Sequence, residues 1–218
     1  MKKYKVIICI PTFVGIKAEL ADQFIQLGGY AKEKGYPVIT IPNKTHVDAR
    51  NWLATGGGGF QNSKMLINMT ECLIWIDSDM VFSLDQLEQL IKHEHPFVSA
   101  VYYTQNKSND KMVVAANWDE SKFLKTGQME YLTQQNIKDA RKQPIQVSYV
   151  GFGFCKTNTS IFEKMSYPYF TNKIVTMQNK DVSYTENVSE DASFCLDSSV
   201  KPIVDTTLIV GHLKSGVV

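Results

Sequence analysis

The stretch that decides the fold is Leu73-Ile74-Trp75-Ile76-Asp77-Ser78-Asp79-Met80-Val81-Phe82. An uninterrupted apolar run stops on two carboxylates one residue apart. Cys72 to Ile76 reads as a strand apolar on both faces, as expected of a parallel sheet covered by helices on each side. In open α/β sheets, ligands bind just beyond the carboxyl ends of such strands, and Asp77 and Asp79 fall there. Two carboxylates that close repel each other unless positive charge lies between them, and a divalent cation meets that need. The bare Asp-x-Asp recurs by chance and also describes a turn with two solvated acids. Its weight therefore comes from the strand that precedes it.

The flanking sequence alternates strand and helix signals. Val6 to Ile10 is a first buried strand closed by Pro11-Thr12. Ile16 to Lys34 carries apolar residues at helical spacing and stops at Gly35. Pro37 to Ile41 is a second strand, Val47 to Ala54 a helix, Gly56 to Gly59 a flexible break, and Phe60 to Met69 a further helix. This β-α-β-α-β order predicts an α/β fold with a doubly wound, mostly parallel central sheet flanked by helices. Ser83 caps a helix through Ile91, and Phe97 to Tyr103 returns as a strand. Beyond it, Met112 to Asn117 and Val147 to Val150 read as strands. Glu120 to Pro144 is polar, with a weak helix near Gln134 to Arg141, and reads as an insertion or mobile loop. Ser160 to Met165 and Val188 to Leu196 read as helices, and Pro202 to Val204 as a last short strand. The chain is read as one domain over 1–218, with a nucleotide-binding half (1–103) and an acceptor-side half (104–218).

Composition narrows the function classes. The chain has 218 residues, 44% of them hydrophobic and 21% charged, which is ordinary for a soluble globular domain. The net charge of +1 gives no pull toward nucleic acid. The run after Lys5 is too short for a secretory core, and no segment reaches membrane-spanning length. Cys9, Cys72, Cys155 and Cys195 lie in apolar surroundings without metal-ligand spacing. They read as buried thiols of a reducing, cytoplasmic compartment.

Three further groups bear chemistry. His46-Val-Asp48-Ala-Arg50-Asn51 follows the second strand, where Arg50 could pair with a phosphate and Asp48 could accept from a base or ribose. The same residues also suit a solvated helix start. Ser189-Glu190-Asp191 reads either as a capped helix start or as the seat of a general base. Gly211-His212 offers an imidazole that could complete a site begun by carboxylates. Gly151-Phe152-Gly153-Phe154 lacks the spacing of a phosphate loop. It suggests close backbone approach or a substrate platform.

Taken in order, Ile10-Pro11-Thr12, Asp48-Ala-Arg50-Asn51, Asp77-Ser-Asp79, Gly151 to Phe154, Ser189-Glu190-Asp191 and Gly211-His212 resemble the GT-A nucleotide-sugar glycosyltransferases with a DxD motif. The resemblance spans nearly the whole chain. Its compact size is also similar to the glycosyltransferase domain of algal-virus enzymes that build capsid glycans. The chain ends six residues beyond His212, which reads as one domain of a longer protein.

The resemblance implies a hexosyltransferase that takes a UDP-sugar donor with Mn²⁺ or Mg²⁺. Its acceptor would be a glycan or glycoprotein, a viral capsid protein among them, and a viral enzyme would act in the host cytoplasm. Thr12, Asp48, Arg50, Asp77, Ser78, Asp79 and Lys214 would meet the nucleotide. Asp79, His212 and Asp77 would serve the metal, Glu190 or Asp191 would be the catalytic base, and Gly151 to Phe154 would border sugar and acceptor. Two rival readings use the same residues. In a haloacid-dehalogenase-like phosphatase, Asp77 would be the nucleophile and Asp79 the acid/base. In a non-catalytic sugar-binding domain, the site would bind without turning over.

Overall fold

The computed structural model describes residues 4–13, 15–56, 65–105, 111–178 and 183–213. Lys214, Gly57 to Gly59 and Phe60 to Lys64, which the sequence reading assigned, lie outside these residues. A seven-stranded sheet forms the centre. Its strands are β1 (Tyr4–Thr12), β2 (Val38–Pro42), β3 (Thr70–Ile76), β4 (Phe97–Val101), β5 (Ile145–Gln146), β6 (Phe154–Asn158) and β7 (Ile203–Ile209). Four helices matter most: α1 (Ala21–Lys34), α2 (His46–Thr55), α3 (Leu84–Lys92) and α4 (Glu190–Asp197).

The spatial order is β5-β7-β4-β6-β3-β1-β2. The β1–β2, β1–β3 and β4–β7 pairings are parallel, whereas β3–β6, β4–β6 and β5–β7 are antiparallel. The expected mostly parallel sheet is therefore a mixed one. The difference lies chiefly in β6, which inserts between β3 and β4 against their direction. Its sequence, Phe-Cys-Lys-Thr-Asn, does not read as a buried strand because of Lys156. That lysine is nevertheless buried, since its ammonium donates to the Ile91 and His93 carbonyls at the end of α3. A cation there satisfies orphan carbonyls and favours the negative end of the helix dipole.

Alternation along the strands explains the two-sided core. In β1, Ile7 and Cys9 face one cluster, with Trp75 and Phe97, while Val6, Ile8 and Ile10 face another, with Ile74, Ile76 and Phe154. Successive side chains point to opposite faces, so a strand covered on both sides must be apolar throughout. The one polar atom of Trp75 is satisfied in place: its indole N–H donates to Thr157 Oγ1 at 2.8 Å.

The polar stretch 120–144, expected as an insertion or mobile loop, is instead structured. It holds helices Glu120–Thr126 and Gln134–Asp139, with strand Glu130–Tyr131 between them. Asp119 and Thr133 accept backbone N–H bonds at the two N-caps, and Phe123, Leu132 and Ile137 are buried. These elements are too short to show periodicity, and their caps carry the signal instead. A hairpin, Lys173–Gln178 with Ser183–Val188, was likewise not read from the sequence, and it moves the start of α4 to Glu190.

Sheet order also fixes where a site can form. From β1 the chain passes through α1 to β2 on one side. It then returns through α2 to β3 on the other side of β1. The crevice at the carboxyl ends of β1 and β3 is the topological switch point of this half of the sheet. Cys9 pairs with Trp75 there, so Thr12 and Asp77 end neighbouring strands.

Candidate functional site

Asp77 follows the last rung of β3, where its N–H donates to the Gly153 carbonyl at 2.8 Å. The chain then turns through Ser78 and Asp79 into a short strand, Met80–Val81, that pairs with Gly211–His212. The Leu213 N–H donates to the Asp79 carbonyl at 2.7 Å. A Cβ on Gly211 would sit 2.9 Å from Val81 Cβ, so this ladder requires the glycine.

The two aspartates do not share a partner. Asp77 faces Arg50, whose Nη2 lies 3.3 and 3.4 Å from its two carboxylate oxygens. Asp79 faces His212, with Oδ2 3.2 Å from Nε2. Arg50 projects from α2 with 1% of its surface exposed. Its Nε also lies 3.3 Å from Asp191 Oδ1 and 3.6 Å from Glu190 Oε1. Its guanidinium carbon stands 5.3 Å from the Phe152 ring centroid. One buried cation thus holds three acids together.

This cluster is not fully satisfied internally. Arg50 Nε and Nη1 and Asp191 Oδ1 are buried without a hydrogen bond of good geometry. The other Asp191 oxygen accepts the Phe152 N–H at 3.2 Å. Burial pushes the Asp191 carboxyl up, Arg50 opposes the shift, and Glu190 and Asp77 add to it, leaving it at about 7. Burial also raises Asp77, again against Arg50. Ser189 stands at the N-cap of α4, but its side chain makes no cap bond. Capping therefore does not account for the acids that follow it, which turn to Arg50.

The second pair is more open, with the Asp79 side chain 34% exposed. Burial would raise its carboxyl, but the hydrogen bond and charge of His212 outweigh burial and hold it below the usual range, with Lys17 adding to the effect. Lys17 Nζ donates to the Leu213 carbonyl at 3.0 Å. His212 Nδ1 lies 3.1 Å from the Tyr103 carbonyl oxygen. A carbonyl only accepts, so Nδ1 carries the proton in that bond. Nε2 then faces the carboxylate with either a second proton or a lone pair, and a cation can take that proton's place.

Among the described residues, no three His, Cys, Asp or Glu side chains stand close enough to hold a metal on their own. Asp77, expected to serve the metal, is turned to Arg50. Asp48 and Arg50, expected to hold the nucleotide together, lie two residues apart on α2 and so about 200° around it. Asp48 is exposed at the third helical position, where its carboxylate accepts from the Thr45 hydroxyl at 2.8 Å. Arg50, expected to pair with a phosphate, is engaged with the carboxylates of Asp77, Glu190 and Asp191. Thr12 is buried at the end of β1 and Ser78 lies between the two aspartates.

Phe152 and Phe154, expected beside the substrate, are fully buried. The glycines serve close approach instead. A Cβ on Gly151 would stand 2.1 Å from the Tyr102 hydroxyl, and that hydroxyl accepts the Gly153 N–H at 3.0 Å. The Tyr102 ring meets His212 edge-on, with centroids 5.6 Å apart. Tyr102 and Lys17 are the positioning residues that the sequence did not reveal. Tyr102 reads as strand core and Lys17 as helix surface, and neither belongs to a motif.

Fold and site together define an α/β protein with an acid-rich centre at a sheet switch point. No protein-family profile matches the sequence, and no curated protein matches it. Among solved structures 29 chains match, so the arrangement recurs. One is the crystal structure of A197 from STIV, with a TM-score of 0.57 and 15% identity over 97% of this chain and 86% of that one. At that identity the likeness speaks for the fold alone. No described helix is long and apolar enough to cross a membrane.

Proposed function

We propose that the protein is a GT-A-type glycosyltransferase that moves a sugar from a nucleoside-diphosphate donor, UDP-linked, to a glycan or glycoprotein acceptor. The observation that carries this reading is the division of labour at the β3 end. Asp79 and His212 form a half-open pair able to take a cation, and Asp191 is a carboxyl raised to about 7 in the acid cluster that Arg50 holds to Asp77. An oxygen-plus-imidazole pair suits Mn²⁺, with Mg²⁺ as the harder alternative, and donor oxygens would complete the coordination. When bound, the cation neutralises charge on the departing diphosphate.

The chain's own residues do the rest. Lys17 lies on the Asp79 side, where its charge can act on the diphosphate. Arg50 holds Asp77, Glu190 and Asp191 in register. Asp191 takes the proton of the acceptor hydroxyl through a carboxyl that is partly exposed and paired with Arg50 Nε at 3.3 Å. A carboxyl near 7 is matched to that work at neutral pH. The phosphatase reading fits less well, because Asp77 would have to attack phosphorus while Arg50 occupies both its oxygens.

The test is calorimetry with Mn²⁺ and UDP on the wild type and Asp79→Ala. Metal-dependent UDP binding by the wild type and its loss in a folded variant support the reading. Equal affinity in the two proteins sinks it. Screening nucleotide sugars for metal-dependent hydrolysis then identifies the donor.

A further inference from the structure

On the face of α2 opposite Arg50 lies an open cleft of about 750 Å³, between the helix and the strap 167–172. That volume is in the range of small-ligand sites. Trp52 and Tyr167 supply aromatic surface, and Lys44, Asp48, Thr171 and Asn172 supply polar groups. Trp52 stands out: a large aromatic 37% exposed, whereas Trp75 is fully buried.

The cleft is built rigidly. The Asn51 amide donates to the Phe170 carbonyl at 2.7 Å, and the Phe170 N–H donates back to Asn51 Oδ1 at 3.0 Å. Phe170 itself stacks on Phe194 in the core at 4.7 Å. Helix and strap are thus clasped together beneath the opening, and the walls are set before any ligand arrives.

We propose that this cleft binds an oligosaccharide, the part of the acceptor glycan remote from its reacting hydroxyl, at a subsite on the other face of α2 from the acid centre. A sugar ring has an apolar C–H face and a rim of hydroxyls. An exposed indole matches the face, and a carboxylate, an ammonium and an amide match the rim. One Lys and one Asp balance in charge, which suits a neutral glycan and disfavours a diphosphate. The assignment of the glycan as acceptor rests on the proposed transferase; the binding of glycan does not.

The experiment is saturation-transfer NMR with four neutral probes: cellotetraose, maltotetraose, chitotetraose and mannotetraose. It uses the wild type, Trp52→Ala and Asn172→Trp, which fills the rim from an exposed position. UDP with Mn²⁺ is titrated in parallel. At least one tetraose is expected to bind the wild type, with at least tenfold weaker binding in both folded variants and UDP affinity unmoved. Binding of none of the four, or equal binding by all three proteins, overturns the proposal. Loss of UDP affinity in both variants also overturns it, by giving the cleft to the nucleotide. If glycan binding depends on Trp52 but no nucleotide sugar is ever turned over, the transferase reading fails and the glycan site stands.

Discussion

Asp77 and Asp79 are two residues apart, yet they live in different physical regimes. Asp77 belongs to a network in which one buried guanidinium serves three partly buried carboxylates and some polar atoms remain unpaired. Asp79 belongs to a half-open pair with a single imidazole, stapled to the Met80–Val81 and Gly211–His212 ladder. The difference teaches that an Asp-x-Asp at a strand end need not be a two-ligand cation site. The chain leaves β3 at Ile76 and turns, with the Met80 N–H donating to the Asp77 carbonyl at 3.1 Å, and this turn aims one carboxylate at Arg50 and the other at His212.

The largest effect is expected at Arg50. Arg50→Met keeps the volume but leaves three acids without their common counter-charge, and uncompensated buried charge is costly. A loss of about 3–5 kcal/mol is expected from chemical denaturation at pH 8. The loss should shrink at pH 5, where a raised Asp191 is protonated. A variant as stable as the wild type at pH 8 would show that Asp77 and Asp191 are not held by this guanidinium. Asp79→Ala should cost far less, so the two variants together measure the contrast directly.

Asp191 comes next. Its folded carboxyl is raised to about 7, whereas an unfolded carboxyl titrates at about 4. Between these values the folded state holds a proton that the unfolded state lacks, so stability falls as pH rises through that window and levels off above it. Asp191→Asn removes this dependence. Relative to the wild type it should gain stability on going from pH 5 to pH 8, by an amount on the order of a few kcal/mol. Transfer should fall by roughly 10²-fold or more if Asp191 is the base, and the wild-type rate should rise as pH passes about 7. A rate flat from pH 5 to 8 would remove Asp191 from the proton path.

His212→Ala tests the outer pair. A half-exposed ion pair contributes at most about 1 kcal/mol, so Tm should fall by no more than about 4 °C. Mn²⁺-dependent UDP affinity should drop while metal-free binding stays as it was. The sign of the pH effect is opposite to that at Asp191. The depressed Asp79 carboxyl contributes stability at neutral pH, which is lost as pH falls through its folded value. His212→Ala should flatten that acid limb.

The same contrast separates what was legible in the sequence from what was not. Strands β1 and β3 announced themselves, because a strand covered on both faces must be apolar throughout, whereas β2, a largely exposed edge strand, was legible from its β-branched residues before Pro42. The place of Asp77 and Asp79 followed from β3. Strand β6 was hidden because Lys156 breaks the apolar run, and only the α3 carbonyls that receive its ammonium make the burial tolerable. Arg50 was legible as a candidate phosphate partner, but its carboxylate partners were not. Its partners are 27 and about 140 residues away along the chain, and no local pattern encodes a contact of that span. Glu190 and Asp191 resembled a helix start, and only the unused Ser189 cap and the turn toward Arg50 tell the two readings apart.

The smallest effect is expected at Asp48, and its smallness is informative. Both the sequence reading and the resemblance placed Asp48 beside Arg50 at the nucleotide. Helical geometry sends the two to opposite faces of α2, with Asp48 exposed and bonded to the Thr45 hydroxyl. An exposed acid in the first helical turn adds a modest dipole interaction. Asp48→Ala should therefore lower Tm by no more than about 2 °C and leave Mn²⁺-dependent UDP affinity within about twofold, a difference below 0.5 kcal/mol. A tenfold loss would mean that the nucleotide reaches around α2 into the cleft beside Trp52. The buried acid cluster and the open cleft would then be two ends of one donor site, and not the two sides of a helix that keeps them apart.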